Sequence, residues 1–290
     1  MKKPVLVIIS LLAVIFILIT VLKENSNQMD VAKNQTAITS DQKENIRQFW
    51  KVFRRATDHR IAGRINEALQ DYTNSSKLND NHEDSWYYLG AVHRSLGHLK
   101  EAENAWKRLT LINPNSARAF LQMGNLYLDF PESELFNLQL AESSFKIALE
   151  INQEETGSIL RLGQVALLGG DLKSAQKYFS DVIASNFKSV DGYILNGYIA
   201  WKIKSHSLAL NHFKNAINYS KITKPTSGVL GEGDTKTGKV LGRSSLKNDQ
   251  SLFDIFMKDL SNIKGQNQVQ AMAEKYKQLD SFLENLRGNI

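Results

Sequence analysis

The chain has 290 residues, 42% of them hydrophobic, with 4 prolines, no cysteine and a formal net charge of +6. The lack of cysteine excludes disulfides, thiolate metal sites, c-type haem attachment, a cysteine nucleophile and a lipoprotein anchor. The charge is local: Lys221, Lys224, Lys236, Lys239, Arg243 and Lys247 against Glu232 and Asp234 leave the rest of the chain near balance, which excludes a broad nucleic-acid-binding face.

Lys2 and Lys3 precede an uncharged apolar run from Pro4 to Leu22. As a helix rising 1.5 Å per residue, the run covers roughly 28 Å, close to the hydrocarbon thickness of a bilayer. Residues 1–22 are therefore expected to form one transmembrane helix, a signal anchor. A cleaved signal peptide is the alternative; against it stand the length of the run and an end, Ile19-Thr20-Val21-Leu22, without a small-x-small site. The basic flank puts the N-terminus in the cytoplasm and the rest of the chain across the membrane. Residues 23–44 are polar and aperiodic and read as a flexible tether.

Residues 45–222 carry a repeat. Alanine recurs at Ala68, Ala102, Ala141, Ala175 and Ala209, each followed four residues later by an aromatic: Tyr72, Trp106, Phe145, Phe179 and Phe213. The separations are 34, 39, 34 and 34 residues. Upstream lie Gly90, Gly124, Gly163 and Gly197, each preceded by four residues by Trp86, Phe120, Ile159 or Tyr193. A period of this length marks a solenoid of helix-turn-helix units. Gly and Ala are expected to let two helices approach, with the aromatics filling the gap between neighbouring pairs. Asn113-Pro114 is expected to stop a helix. The five extra residues of the third unit, around Phe130-Pro131-Glu132-Ser133, read as a lengthened turn: either a tolerated insertion or a contact element at one edge.

The pattern resembles the tetratricopeptide repeat (TPR). The best unit runs from Glu83 to Ser116, with Trp86, Leu89-Gly90, Ala102, Trp106 and Pro114 at the family's spacing. The first unit, near Gln48 to Asn81, is degenerate. The resemblance implies an all-α, right-handed superhelix of about five repeats whose first helices line a concave groove for protein partners. Carried over by position, the groove residues are Tyr87, Ala91 and Arg94; Leu121, Asn125 and Leu128; Leu160, Gln164 and Leu167; and Ile194, Tyr198 and Trp201. That lining suits an extended peptide or an amphipathic helix. It lacks the paired Lys/Asn pattern of a carboxylate clamp. The chain's own C-terminal segment is the other candidate occupant.

The repeat pattern stops before residues 223–250, a basic, Gly-rich stretch that reads as a linker or a hairpin. Its Gly233–Val240 segment resembles a phosphate loop, but Val240 stands where a hydroxyl is needed and no αβ context surrounds it. In residues 251–290, Ser251 with Asp254 suggests a capping box. Phe253, Phe256, Leu260 and Ile263 follow helical spacing, Gly265 breaks it, and Val269, Met272, Tyr276, Leu279, Leu283 and Leu286 resume it. The two readings are a helical hairpin docked on the last repeat and a dimerisation helix. No histidine falls in HExxH, His59 and His93 share one repeat position, and no GxSxG occurs, so neither an enzyme nor a cofactor is expected. The expected protein is a non-enzymatic scaffold of the bacterial inner membrane. Its repeats would lie in the periplasm, gathering proteins into an envelope complex or assembling into a homo-oligomer.

Overall fold

A computed structural model describes residues 19–24, 39–154, 156–222, 251–258, 260, 263 and 267–288. The expected anchor up to residue 18, most of the tether, and the expected linker or hairpin at 223–250 lie outside the described residues. Among the described residues all regular structure is helical, and no helix is long and apolar enough to cross a membrane.

The chain divides into two compact units, Met1–Trp50 and Lys51–Ile290. In the first, residues 19–24 are helical and α1 (Ser40–Ile61) begins. The helix starts at residue 40, inside the stretch expected to be tether. The cause is local: Thr39 N–H donates to Gln42 Oε1 at 2.9 Å and Gln42 N–H to Thr39 Oγ1 at 3.2 Å. This reciprocal capping box satisfies two amides that would otherwise lack partners.

The second unit is built of helix pairs. The end of α1 packs with α2 (Ile65–Leu78), followed by α3 (Glu83–Ser95) with α4 (Leu99–Ile112) and α5 (Ala117–Asp129) with α6 (Leu138–Ile151). Next come α7 (Thr156–Leu168) with α8 (Leu172–Ser185) and α9 (Val190–Lys202) with α10 (His206–Ile222). A one-turn α11 (Asp254–Met257) and α12 (Gln268–Arg287) complete it. In the degenerate first pair, Arg55 donates two bonds to Asp71, at 2.6 and 2.5 Å, and Thr57 meets the Tyr72 hydroxyl at 3.1 Å.

The second, third and fourth pairs each close around one contact. The ring of Trp106 lies over Gly90, Phe145 over Gly124 and Phe179 over Gly163. A Cβ on Gly124 would fall 2.5 Å from Phe145 Cε1, and one on Gly163 would fall 2.5 Å from Phe179 Cε1. The aromatics therefore seal the interior of their own pair, on the glycine of the partner helix, where the spacing had suggested a filler between neighbouring pairs. All three rings are fully buried, along with Ala102, Ala141 and Ala175 on the same helices.

The joints are as regular as the cores. Asn79, Asn113, Asn152 and Asn186 each follow the last residue of a second helix in a backbone conformation that leaves the helix. Each side-chain oxygen accepts from the amide two residues on, at 3.2, 2.9, 3.3 and 3.1 Å. These Asx turns end the helices. Proline follows only at Pro114, so the asparagine provides the stop common to all four. Within pairs, the turn needs one left-handed residue: Gly63, Gly97, Gly170 and, in the last pair, Lys204 at φ 63°. His59 and His93 lie beside these turns, as their shared position suggested. His59 Nδ1 accepts from Arg64 Nε at 2.7 Å, and His93 faces His98 at 3.4 Å.

The third pair lacks such a glycine turn. Its longer connection folds back through Ser133 N–H to Phe130 C=O, Phe136 N–H to Ser133 C=O and Asn137 N–H to Tyr127 C=O, and Phe130, Leu135 and Leu138 pack on the core.

Two substitutions separate these constraints. Helical Gly→Ala ordinarily stabilises by up to about 1 kcal/mol. Gly124→Ala is expected to destabilise instead, by about 1–3 kcal/mol, because buried Phe145 has nowhere to move. Lys204→Gly is expected to stabilise by about 0.5–1 kcal/mol, by relieving a left-handed non-glycine backbone. Urea denaturation of each variant measures both.

Candidate partner-binding face

The first helices α3, α5, α7 and α9 carry the residues expected to line a groove. Tyr87, Leu121, Leu160 and Trp201 are half-buried. Arg94, Asn125, Leu128, Gln164, Leu167, Ile194 and Tyr198 are buried. The face divides into three parts with different chemistry.

Toward its N-terminal side it is open to solvent in part. Arg118 places its guanidinium 4.7 Å from the centre of the Tyr87 ring, and Tyr87 meets Tyr88 edge-to-face at 5.2 Å. Arg118 is also held by Asp84 at 2.5 Å. An aromatic ring, a leucine and a positioned cation form a surface suited to a peptide with apolar and acidic groups.

The middle is charged and buried. Asp129, at the end of α5, accepts from Arg161 of α7 at 2.9 and 3.1 Å and from Arg94 of α3 at 3.3 Å. Arg94 also lies 5.5 Å from the centre of the Phe130 ring, so the longer third connection contributes to this cluster. Arg161 further donates to Gln164 Oε1 at 3.0 Å and to Ser251 Oγ at 2.7 Å, and Leu252 N–H donates to Asp129 at 3.1 Å. The C-terminal segment thus enters the face at this cluster. Half of its expected capping box is present: Ser251 N–H donates to Asp254 Oδ2 at 3.1 Å, but the Asp254 amide bonds the Ser251 carbonyl, and Ser251 Oγ accepts from Phe253 N–H at 3.3 Å. The helix that follows is only one turn long, because Lys258 is extended. Phe253, Phe256 and Leu260 are nevertheless buried in the main core.

The C-terminal side is covered by α12, which packs on α7, α9 and α10. Met272, Tyr276, Leu279, Leu283 and Leu286 are buried along one of its sides. Tyr276 meets Tyr198, Trp201 and Phe213 at ring separations of 6.2, 6.2 and 5.8 Å. Asp280 accepts from the Tyr198 hydroxyl and from Lys202 Nζ, both at 2.6 Å. Burial works against ionisation of Asp280, but its bonds from Lys202 and Tyr198 outweigh this and hold its carboxyl below the usual range. Arg287 donates to the carbonyls of Leu168 at 3.0 Å and Leu167 at 2.5 Å, adding to the backbone bonds that close the end of α7. Of the two sequence-based readings of the tail, docking on the last repeat is the arrangement found, and it extends across to the fourth.

Asp129, Arg161, Asp280 and Arg287 were not singled out from the sequence. Among the described residues, no group of three or more His, Asp or Glu is placed to hold a metal ion.

This arrangement, helix pairs stacked with their first helices on one face, is the tetratricopeptide-repeat fold. The family model described as Tetratricopeptide repeat matches residues 83–116, the second pair. Among solved structures, MamA is similar over 58% of this chain and 95% of its own, at 20% identity and a TM-score of 0.52. A double mutant of MamA RS-1 is similar over 64% and 98%, at 14% identity and 0.54. MamA from Desulfovibrio magneticus RS-1 is similar over 65% and 99%, at 15% identity and 0.52. No curated protein matches the sequence.

Asp129 is the hinge of the face's electrostatics. Asp129→Asn keeps the shape but leaves two buried guanidinium groups without their carboxylate. It is expected to lower the unfolding free energy by about 3–5 kcal/mol, read by urea denaturation.

Proposed function

We propose that this chain is a membrane-tethered scaffold that binds protein partners on the first-helix face of its repeats. The observation that carries this reading is the open side of that face, where half-buried Tyr87 and Leu121 stand beside Arg118. The tetratricopeptide repeat at 83–116 supports it, since such repeats bind extended peptides or amphipathic helices on this side. The apolar run Pro4–Leu22 and its lysine flank support attachment to the bacterial inner membrane, with the repeats in the periplasm serving an envelope complex. Self-assembly through the C-terminal helices is the less supported alternative, because the apolar side of α12 is already covered within its own chain.

The test is crosslinking and pulldown from intact cells, comparing the native chain with a Tyr87→Ala, Leu121→Ala double variant whose helicity is checked by circular dichroism. Partners captured by the native chain and reduced at least tenfold with the folded variant support binding at this face. Undiminished capture moves the site elsewhere.

A further inference from the structure

The C-terminal side of the face is occupied by a helix that differs from every other helix of the unit in how it is connected. Successive pairs are joined by four-residue Asx junctions, which leave no freedom to separate. Helix α12 follows a segment that is itself docked, with Ser251 and Leu252 on the charge cluster and Phe253, Phe256 and Leu260 in the core, and it is joined to that segment through residues 261–267. Those 7 residues span at most about 25 Å. The covalent chain therefore keeps α12 within reach of its seat.

The composition of α12 is that of a helix stable to release. Met272, Tyr276, Leu279, Leu283 and Leu286 form one buried stripe, while Glu274, Lys277, Gln278, Ser281 and Glu284 are exposed. Its polar attachments to the first helices are few: Asp280 on Tyr198 and Lys202, and Arg287 on two carbonyls at the end of α7. One contact is imperfect. The Tyr276 hydroxyl is driven against Gly197, where a Cβ could not fit. It is buried, and among the described residues it has no hydrogen-bond partner. A buried hydroxyl without a partner weakens the fit of the helix that brings it.

We propose that the face formed by α7 and α9 is a seat for an amphipathic helix, that α12 is its tethered resident, and that a partner helix with the same pattern displaces it. The partner is a protein helix with an aromatic residue at the Tyr276 position, leucine-sized residues 3, 7 and 10 positions on, and a carboxylate 4 positions on to meet Tyr198 and Lys202. Phenylalanine suits the first position better than tyrosine, since it carries no hydroxyl to strand against Gly197. The tether gives α12 a high effective concentration, so an incoming helix must compete with a local competitor and binding is held in check until such a partner accumulates. This inference rests on the scaffold reading and names the partner chemistry for one side of the face. The open side at Tyr87 and Leu121 is separately tested above.

The experiment uses the full chain in mild detergent, with a protease site inserted at Gly265, between the docked segment and α12. The probe is a fluorescent peptide of residues 267–288, followed by anisotropy before and after cleavage. Cleavage removes the tether, and apparent affinity for the peptide is expected to rise at least tenfold, with the C-terminal fragment separating on gel filtration in excess peptide. A peptide carrying Tyr276→Phe is expected to bind roughly fivefold tighter or more, and one carrying Asp280→Lys to bind at least tenfold more weakly. The proposal is overturned if the peptide binds neither form while the fragment stays with the repeats. Unfolding of the repeats on loss of the fragment also overturns it, since α12 would then be a permanent part of the core. Either failure leaves the pulldown result at Tyr87 and Leu121 to stand or fall alone.

Discussion

A ring resting on a glycine holds this molecule together. In three successive pairs an aromatic of the second helix lies where the first helix has no Cβ, and the rest follows from that closeness. The two helices of a pair are fixed face to face, their remaining apolar sides point to the neighbouring pairs, and the first helices are left in a row on one face. The fifth pair departs from the rule. Gly197 is approached by Tyr276 of α12 and by His212 Cβ, while Phe213 packs edge-on to that tyrosine. The last repeat thus takes its sealing ring from the tail, which ties the end of the solenoid to the occupancy of its inner face.

That face is partitioned by charge. Asp129 neutralises guanidinium groups from the repeats on either side of it and also receives the Leu252 amide. Two arginines in an apolar face would ordinarily attract an acidic ligand, but these already share a buried carboxylate. The cluster therefore serves as a divide and a landing point for the tail. The apolar ground on one side is filled by α12, and the aromatic ground on the other stays open to solvent in part.

Much of the fold was legible because repetition makes packing visible. Ala and aromatic four apart, returning at 34, 39, 34 and 34, imply paired helices. Two further signals had the same spacing and went unread: the asparagines at 79, 113, 152 and 186, and the glycines at 63, 97 and 170 with Lys204 in the next place. The start of α1 was missed because Thr39 and Gln42 cap it, and polar composition hides a cap within what looks like tether. The buried charge cluster was not legible. Arg94, Asp129 and Arg161 occupy three different places within their units, so aligning the repeats does not bring them together. Spacing announced α12 as a helix and left its seat open, since that is set by contacts with residues far away in the chain. The tail's first segment kept its apolar pattern but lost most of its helix, its phenylalanines buried from a single helical turn and the residue before it.

The tail's attachments also set an order of events at birth. Each helix pair and its junctions join residues close in sequence, so the repeats can form one after another as the chain emerges into the compartment where it folds. The tail's bonds join residues 78 to 123 positions apart: Lys202 and Tyr198 with Asp280, Arg161 with Ser251, Arg287 with Leu168, Leu252 with Asp129. None of these can form until the tail has been made, and those of Asp280 and Arg287 wait for the last dozen residues. A nascent chain therefore holds folded repeats with an uncovered apolar face for the whole time it takes to synthesise residues 223 to 287. In that interval the face is open to contacts that its own helix later excludes.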